Sequence, residues 1–219
     1  MSDYLLEEHG LSPGKIYRLL SGSICPRPIA WVSTLDGQGN ANLAPFSFFN
    51  VMSVNPPVLG FSPLLDGDAN PKDTLRNLGE VAECVVQISG EGLVQEMNAT
   101  SAGLEHGADE FVHAGLEKVA MAGVSVPRVA GVPVAFGCRL REIIRFGDGP
   151  LAGNLVLAEV VSIHVEDALW DGRHVDAEGL RPIGRMAGND YARCTDRFEV
   201  ERPASGSSLS AQQRGGRPS

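Results

Sequence analysis

Two runs near the middle of the chain, Val132–Phe146 and Asn154–Val165, carry β-type patterning. In the second, Val156, Ala158, Val160, Ser162 and His164 alternate with Leu155, Leu157, Glu159, Val161, Ile163 and Val165, the two-residue period of a strand with distinct faces. Gly147-Asp148-Gly149-Pro150 lies between them and predicts a turn, so the two runs should pair as a hairpin. Earlier, Ile29–Leu35 is rich in apolar and β-favouring residues. Asp36-Gly37-Gln38-Gly39-Asn40 then supplies the positive-φ positions of a hairpin turn before a second strand, Ala41–Phe49. Pro56-Pro57 cannot donate to a ladder, which predicts the next strand over Val58–Ser62, and Glu83–Ser89 reads as a further one.

Helical spacing is less abundant. Asn70-Pro71-Lys72-Asp73 has the form of an N-cap, a proline at the first helical position and an early acidic residue, predicting a helix that ends near Gly79 with Lys72 and Thr74 in its first turn. Gly92–Thr100 and Asp109–Val119 show the three-to-four spacing of short helices. Residues 1–14 are polar, end in Ser12-Pro13-Gly14 and read as an N-terminal arm, with β structure expected soon after. Residues 204–219 are rich in Ser, Gly and Gln and read as a disordered tail. The remaining 15–203 are taken as one domain.

Composition narrows the function. With 219 residues, 43% of them hydrophobic, the chain can bury a sizeable core. A net charge of -9 argues against a phosphate-tracking nucleic-acid binder. The N-terminus lacks the basic segment and apolar core of a signal peptide, and no apolar stretch is long enough for a bilayer, so a soluble, cytoplasmic protein without membrane partners is expected. Cys25, Cys84, Cys138 and Cys194 have neither CxxC nor Cys/His ligand spacing and are expected as free thiols.

Several positions point to chemistry. A helix start bearing Lys72 and Thr74 presents unpaired N–H groups and a positive dipole end, suited to a phosphate; ordinary capping is the alternative. Ser33, Thr34, Ser47 and Asn50 sit at strand ends or beside an aromatic run, where they can hydrogen-bond a heteroaromatic ligand or simply satisfy local backbone. Phe46, Phe48 and Phe49 cannot all face inward in a regular strand, which leaves at least one for a ligand or a subunit contact. His164 lies within an apolar strand and is either structural or a proton-managing residue. Gly147–Gly153 lacks the spacing of a dinucleotide loop, and His106, Asp109, Glu110 and His113 lack the His-Glu-x-x-His pattern of a metal site.

Four separated stretches, Pro26–Thr34, Asn42–Asn50, Asn55-Pro56-Pro57 and Lys72-Asp73-Thr74, resemble the flavin reductase-like family of FMN-binding split barrels; looser similarity runs through Leu155–Asp167 and Gly184–Pro203. The resemblance implies a mainly β fold, an antiparallel split β-barrel of Greek-key type with about six strands and a few capping helices. It implies a homodimer that binds FMN, with FAD also open, and takes hydride from NADH or NADPH. Electrons would then pass to free flavin, a partner monooxygenase or another acceptor. A flavin-storage protein and a flavin oxidase on the same barrel are the alternatives. By resemblance, Arg27, Trp31, Ser33 and Thr34 belong to one flavin-lining segment and Pro45, Ser47, Phe48 and Asn50 to the next. Lys72 and Thr74 fall in the phosphate-contacting segment, Arg185 and Tyr191 in a loop beside the flavin, and His164 near the nicotinamide.

Overall fold

The computed structural model describes residues 5–6 and 10–203, so the tail expected over 204–219 and part of the expected arm lie outside the described residues. The chain enters through helix α1, Pro13–Ser23, in place of the β structure expected there. Ser12 stands at the N-cap position and Pro13 opens the first turn, where a missing N–H costs nothing.

Strands β1 (Ala30–Leu35), β2 (Ala41–Phe46), β3 (Phe49–Val54), β4 (Pro57–Phe61), β5 (Glu83–Ile88), β8 (Val134–Arg145) and β9 (Asn154–Val165) form one seven-stranded antiparallel sheet in the order β2-β1-β5-β8-β9-β4-β3. This is the mainly β, split-barrel architecture expected. The two edge strands, β2 and β3, follow one another in sequence and are joined by Ser47 and Phe48 alone. Helices α2 (Asp73–Glu80), α3 (Val94–Ala99), α4 (Glu110–His113) and α5 (Ala177–Leu180) and the two-stranded pairs β6–β7 (Lys118–Val119, Arg128–Val129) and β10–β11 (Ile183–Arg185, Tyr191–Arg193) cover the rest. None of the helices is long and apolar enough to cross a membrane among the described residues.

The Asp36–Asn40 turn forms as read: Asp36 Oδ1 accepts from the amides of Gln38 (2.9 Å) and Asn40 (2.8 Å), and Gly39 takes φ +88°. The β8–β9 hairpin also forms, with Ala135 opposite His164 and Arg145 opposite Asn154. The single strand expected over Ala41–Phe49 is two strands instead. Phe46 and Phe49 both pack into the barrel interior although they are three residues apart, which a strand of period two cannot achieve; the break at Ser47–Phe48 resets the phase.

Helix α2 starts later than its proline implies. Lys72 is the N-cap, and the Asn70 side chain closes the preceding loop by donating to Asp66 Oδ2 at 3.2 Å. The helix expected over Asp109–Val119 stops at His113, because Gly115 turns the chain at φ +66° and Lys118–Val119 is a strand. Strand β4 begins at Pro57 itself, opposite Val54, a first-strand position that proline tolerates.

Two apolar layers hold the sheet. Inside the barrel, Ala30, Val32, Leu59, Phe61, Val86, Cys138, Val156 and Ala158 pack with Leu78 of α2. On the outer face of β1, β2 and β5, Trp31, Leu43 and Val85 pack with Met97, Phe111 and Val126. Strand β1 is therefore buried on both faces, which explains why Ala30-Trp31-Val32 is an unbroken apolar run and why the Ser33 and Thr34 hydroxyls that follow are hydrogen-bonded within the protein.

Candidate functional site

The seam between β2 and β3 opens into a groove made of adjoining hollows. One, of about 350 Å³, is lined by Asn42, Pro45, Lys72, Thr74, Ser101 and Glu110 among others. A second, of about 200 Å³, lies between Tyr17, Pro45, Ser47, Asn98, Arg185 and Tyr191. A third, of about 450 Å³, runs from Tyr17, Ser47 and Phe48 to Lys72. Shared residues make them one groove: Pro45 borders all three, and Lys72, Ser47 and Tyr17 each border two. Together they reach the size of pockets that hold small-molecule cofactors, several hundred cubic ångströms.

One end of the groove is the start of α2. Leu75 and Arg76 donate their amides to Lys72 O at 2.9 and 3.2 Å, while the amides of the two preceding residues have no helical acceptor in a first turn. Asp73, at this start, is held to the side by Arg76 Nη1 at 2.9 Å and His106 Nδ1 at 2.7 Å. Beneath lies a buried polar network. Thr74 Oγ1 donates to Asn42 Oδ1 (2.8 Å), Thr34 Oγ1 approaches the same oxygen (3.3 Å), and Asn77 Nδ2 donates to Thr34 Oγ1 (3.1 Å). Glu110 Oε2 accepts from Asn42 Nδ2 at 3.0 Å and from the Leu43 amide at 2.9 Å. Burial pushes the Glu110 carboxyl above its ordinary value, opposed by the bonds it accepts from Leu43, its own amide and Asn42, and reinforced by the Asp73 carboxylate.

The other end is made by β10–β11 and α1. The Arg185 guanidinium lies 4.6 Å from the centre of the Tyr191 ring and donates to Gly188 O, and the Tyr191 hydroxyl donates to Asn98 Oδ1 at 3.0 Å. Tyr17 of α1 and Phe48 of the seam pack with ring centres 6.1 Å apart. Of the three phenylalanines in question, Phe48 is the one given over to the groove. Phe46 borders it too, but stacks on Phe61 and packs with Phe49 into the barrel.

The structure thus gathers Pro45, Ser47, Phe48, Lys72, Thr74, Arg185 and Tyr191 about one groove, and Asn50 lines an apolar hollow that adjoins it through Ser47. It does not bring the remaining expected side chains there. Trp31 is fully buried and donates to Thr100 Oγ1 at 2.9 Å; Ser33 donates to Pro127 O at 2.6 Å; Thr34 belongs to the buried network. All three sit on a strand covered on both sides, so pleating turns each into packing rather than to solvent.

Arg27 is 5% exposed, and its charged end is spent on the protein's own oxygens rather than on a ligand. Its guanidinium donates to Ser21 O, Ile24 O (2.8 Å) and Met186 O (2.9 Å) and to Ser47 Oγ (3.3 Å). It therefore ties the end of α1, the seam and the β10–β11 segment together, and its backbone bridges Arg185. His164 faces Ala135 on β9 and lines none of these hollows; burial first, then the Arg128 charge, holds it below its ordinary value.

Sequence reasoning does not single out Asn42, Glu110, Tyr17 or Asn98 as site residues. Asn42 nevertheless stands inside a motif that it does quote. Glu110 groups by spacing with His106, Asp109 and His113, which the fold sends to different tasks: Asp109 caps α4 through the Phe111 amide at 3.0 Å, and His106 pairs with Asp73.

Comparison with known proteins adds to this geometry. The sequence profile described as "Flavin reductase like domain" matches residues 21–179. An uncharacterized protein of Halalkalibacterium halodurans is 38% identical over 200 residues, 90% of this chain and 96% of that one. Nitrilotriacetate monooxygenase component B from Bacillus cereus superposes with a TM-score of 0.86 at 36% identity, over 91% of this chain and 98% of that chain. The 2-nitrobenzoate 2-nitroreductase NbaA of Pseudomonas fluorescens does so at 0.83 and 30% identity, over 95% and 100%.

Proposed function

The chain belongs to the flavin reductase-like family, and from that premise we propose that it is an NAD(P)H-dependent FMN reductase that acts as a homodimer and hands electrons to free flavin or to a partner monooxygenase. The observation that carries this reading is the groove itself, with a helix start and Lys72 at one end and the Arg185–Tyr191 pair at the other.

These residues fit FMN. The phosphate would lie at the start of α2, where main-chain amides, the helix dipole and the Lys72 ammonium all favour a dianion. The ring system would lie toward Pro45, Ser47, Phe48 and Tyr17, with the Ser47 hydroxyl available to its polar edge. Bound flavin supplies the hydride-accepting chemistry, and the protein supplies orientation and electrostatics. Arg185 places a fixed positive charge beside the groove, held by Gly188 O and the Tyr191 face, where it can steady negative charge on a reduced ring. Phe48 and Tyr17 wall the groove with aromatic surface that excludes water from the reacting face. No side chain is required as nucleophile.

The dimer is supported by exposed apolar side chains on α1 and β3 and just beyond α1, namely Leu19, Leu20, Ile24, Val51, Met52 and Val54. A partner monooxygenase is supported by the likeness to a monooxygenase component. A second reading, direct reduction of a nitroarene, is favoured by the likeness to a nitroreductase. It also fits the apolar hollow of about 400 Å³ formed by Leu20, Ile24, Pro26, Phe48 and Phe49 beside the groove.

The test is an anaerobic absorbance scan of the protein with FMN before and after NADH, then NADPH. Bleaching of the flavin band is expected, and bound flavin that stays oxidised with both nucleotides overturns the reductase reading. Consumption of 2-nitrobenzoate by the reduced protein would favour the second reading.

A further inference from the structure

We propose that Glu110 is a positioning residue for the phosphate end of the groove, acting through Asn42 on Thr74 and so on the first turn of α2; the inference rests on the FMN-binding reading above.

Glu110 is 7% exposed, lines the hollow at the start of α2, and has no part in the chemistry described so far. Two features explain its burial. β2 is an edge strand of the sheet, and the Leu43 amide has its acceptor in the Glu110 carboxylate at 2.9 Å. The same oxygen takes Asn42 Nδ2 at 3.0 Å. An ionised carboxylate can only accept, so this bond decides which end of the Asn42 amide faces which way: its NH2 toward Glu110, its oxygen toward α2.

The orientation propagates. With Oδ1 turned to α2, Asn42 accepts the Thr74 hydroxyl proton at 2.8 Å, and the Thr34 hydroxyl that neighbours the same oxygen holds Asn77 at 3.1 Å. α2 is thus pinned to β1 and β2 at two points about one turn apart, Thr74 and Asn77, both buried. The Thr74 hydroxyl proton points into the protein and not into the hollow. What the first turn presents to an anion is then its main-chain amides and Lys72, and their placement depends on a chain of bonds whose direction Glu110 sets. The sequence expectation that the Thr74 hydroxyl adds directly to phosphate binding is replaced by an indirect role.

The consequence is a preference for phosphorylated flavin that is sensitive to groups not touching it. The experiment measures FMN and riboflavin dissociation constants by flavin fluorescence for the wild type, Glu110→Gln, Glu110→Leu, Thr74→Val and the Glu110→Leu/Thr74→Val double variant. Glu110→Gln retains a carbonyl oxygen for Asn42 and Leu43 and should keep the wild-type ratio of FMN to riboflavin affinity. Glu110→Leu and Thr74→Val should each lower FMN affinity about tenfold with riboflavin affinity nearly unchanged, and the double variant should lose no more than either single one, because both break one chain.

Additive losses, or equal losses for the two flavins, overturn the proposal. If Glu110→Leu does not fold, Glu110→Ala takes its place in the same cycle: an unchanged FMN preference overturns the proposal, and a loss that does not add to that of Thr74→Val sustains it. Wild-type protein that binds neither flavin overturns the FMN reading and this inference with it. Wild-type protein that prefers FMN while both variants keep that preference overturns the inference alone.

Discussion

Replacing Arg27 by lysine keeps the charge and should nonetheless be among the more damaging changes available. The guanidinium makes four side-chain hydrogen bonds, two of them to carbonyls at the end of α1, one to Met186 O and one to Ser47 Oγ. None of these four partners is a carboxylate: the charge is balanced by neutral oxygens, two of them at the negative end of a helix dipole. A lysine ammonium is one compact group with three donors and cannot span from Ile24 to Met186 and Ser47 at once, so at least two bonds to a charged donor are lost. At about 1.5–3 kcal/mol for each such bond, the loss of two is about 3–6 kcal/mol. For a domain of this size that corresponds to a fall in Tm of roughly 6–24 °C. Urea unfolding and calorimetry measure it. Flavin titration should show FMN and riboflavin weakened alike, because Arg27 places Tyr17 and Arg185 rather than the start of α2. An Arg27→Lys protein within about 0.5 kcal/mol of wild type, with an unchanged flavin affinity, would refute the view that the fork geometry of this side chain holds three segments together.

Lys72→Ala should weaken FMN about tenfold and leave riboflavin nearly unchanged in the same titration, if its ammonium, which lines the hollow at the start of α2, meets the phosphate as proposed. Gly184→Ala should cost about 1–3 kcal/mol, because the added Cβ meets Pro26 Cβ at 2.6 Å and Arg27 O at 3.4 Å. Gly60→Ala, whose Cβ has the half-exposed, flexible Met52 side chain as its nearest neighbour, should cost clearly less in the same unfolding assay. Glu110 has its folded-state value raised above the ordinary 4.5. Its contribution to stability is therefore full below that pH and is lost as pH rises through the raised value, so wild type should lose stability relative to Glu110→Gln as pH rises from acid across this range. His164→Asn should leave FMN affinity unchanged by titration, because the ring lies opposite Ala135 and outside the groove; a loss of affinity would contradict that placement.

Much of the sheet can be read from the chain. The β8–β9 hairpin and the Asp36–Asn40 turn are written in short-range chemistry, alternation on one hand and a side chain that accepts its own turn amides on the other. The seam is not legible in the same way. Ala41–Phe49 looks like one apolar strand, and only closure of the sheet, which requires Phe46 and Phe49 on one side, breaks it. α1 escapes notice because the apolar residues in and just after it, Leu19, Leu20 and Ile24, remain exposed and so lack the partner that would make their spacing meaningful within one chain. At the site, Lys72, Arg185 and Tyr191 come together only through family resemblance, since nothing local links residues over a hundred positions apart. Ser33 and Thr34 mislead because small hydroxyl residues in a strand serve buried hydrogen bonds as readily as ligands. Glu110 becomes visible as Asn42's partner only once the fold places α4 against β2.

The strand order carries a further consequence for how the protein comes to exist. No backbone ladder joins β1, β2 and β5 to β3 and β4 until the β8–β9 hairpin is inserted between β5 and β4; before that the two groups share the two-residue seam and side-chain packing such as Phe46 on Phe61. A nascent chain that has emerged only as far as the start of β8 therefore holds two small sheets with no ladder between them, each with an open edge, and the barrel wall is not closed. Closing the sheet requires docking of a hairpin against strands made far earlier in the chain, β9 on β4 and β8 on β5, the kind of non-local pairing whose loop-closure entropy slows folding. The groove is complete only when β10–β11, which follow the hairpin in the chain, bring Arg185 and Tyr191 to it, and a ribosome-stalled fragment ending before β8 would have to be sheltered from edge-to-edge association while it waits.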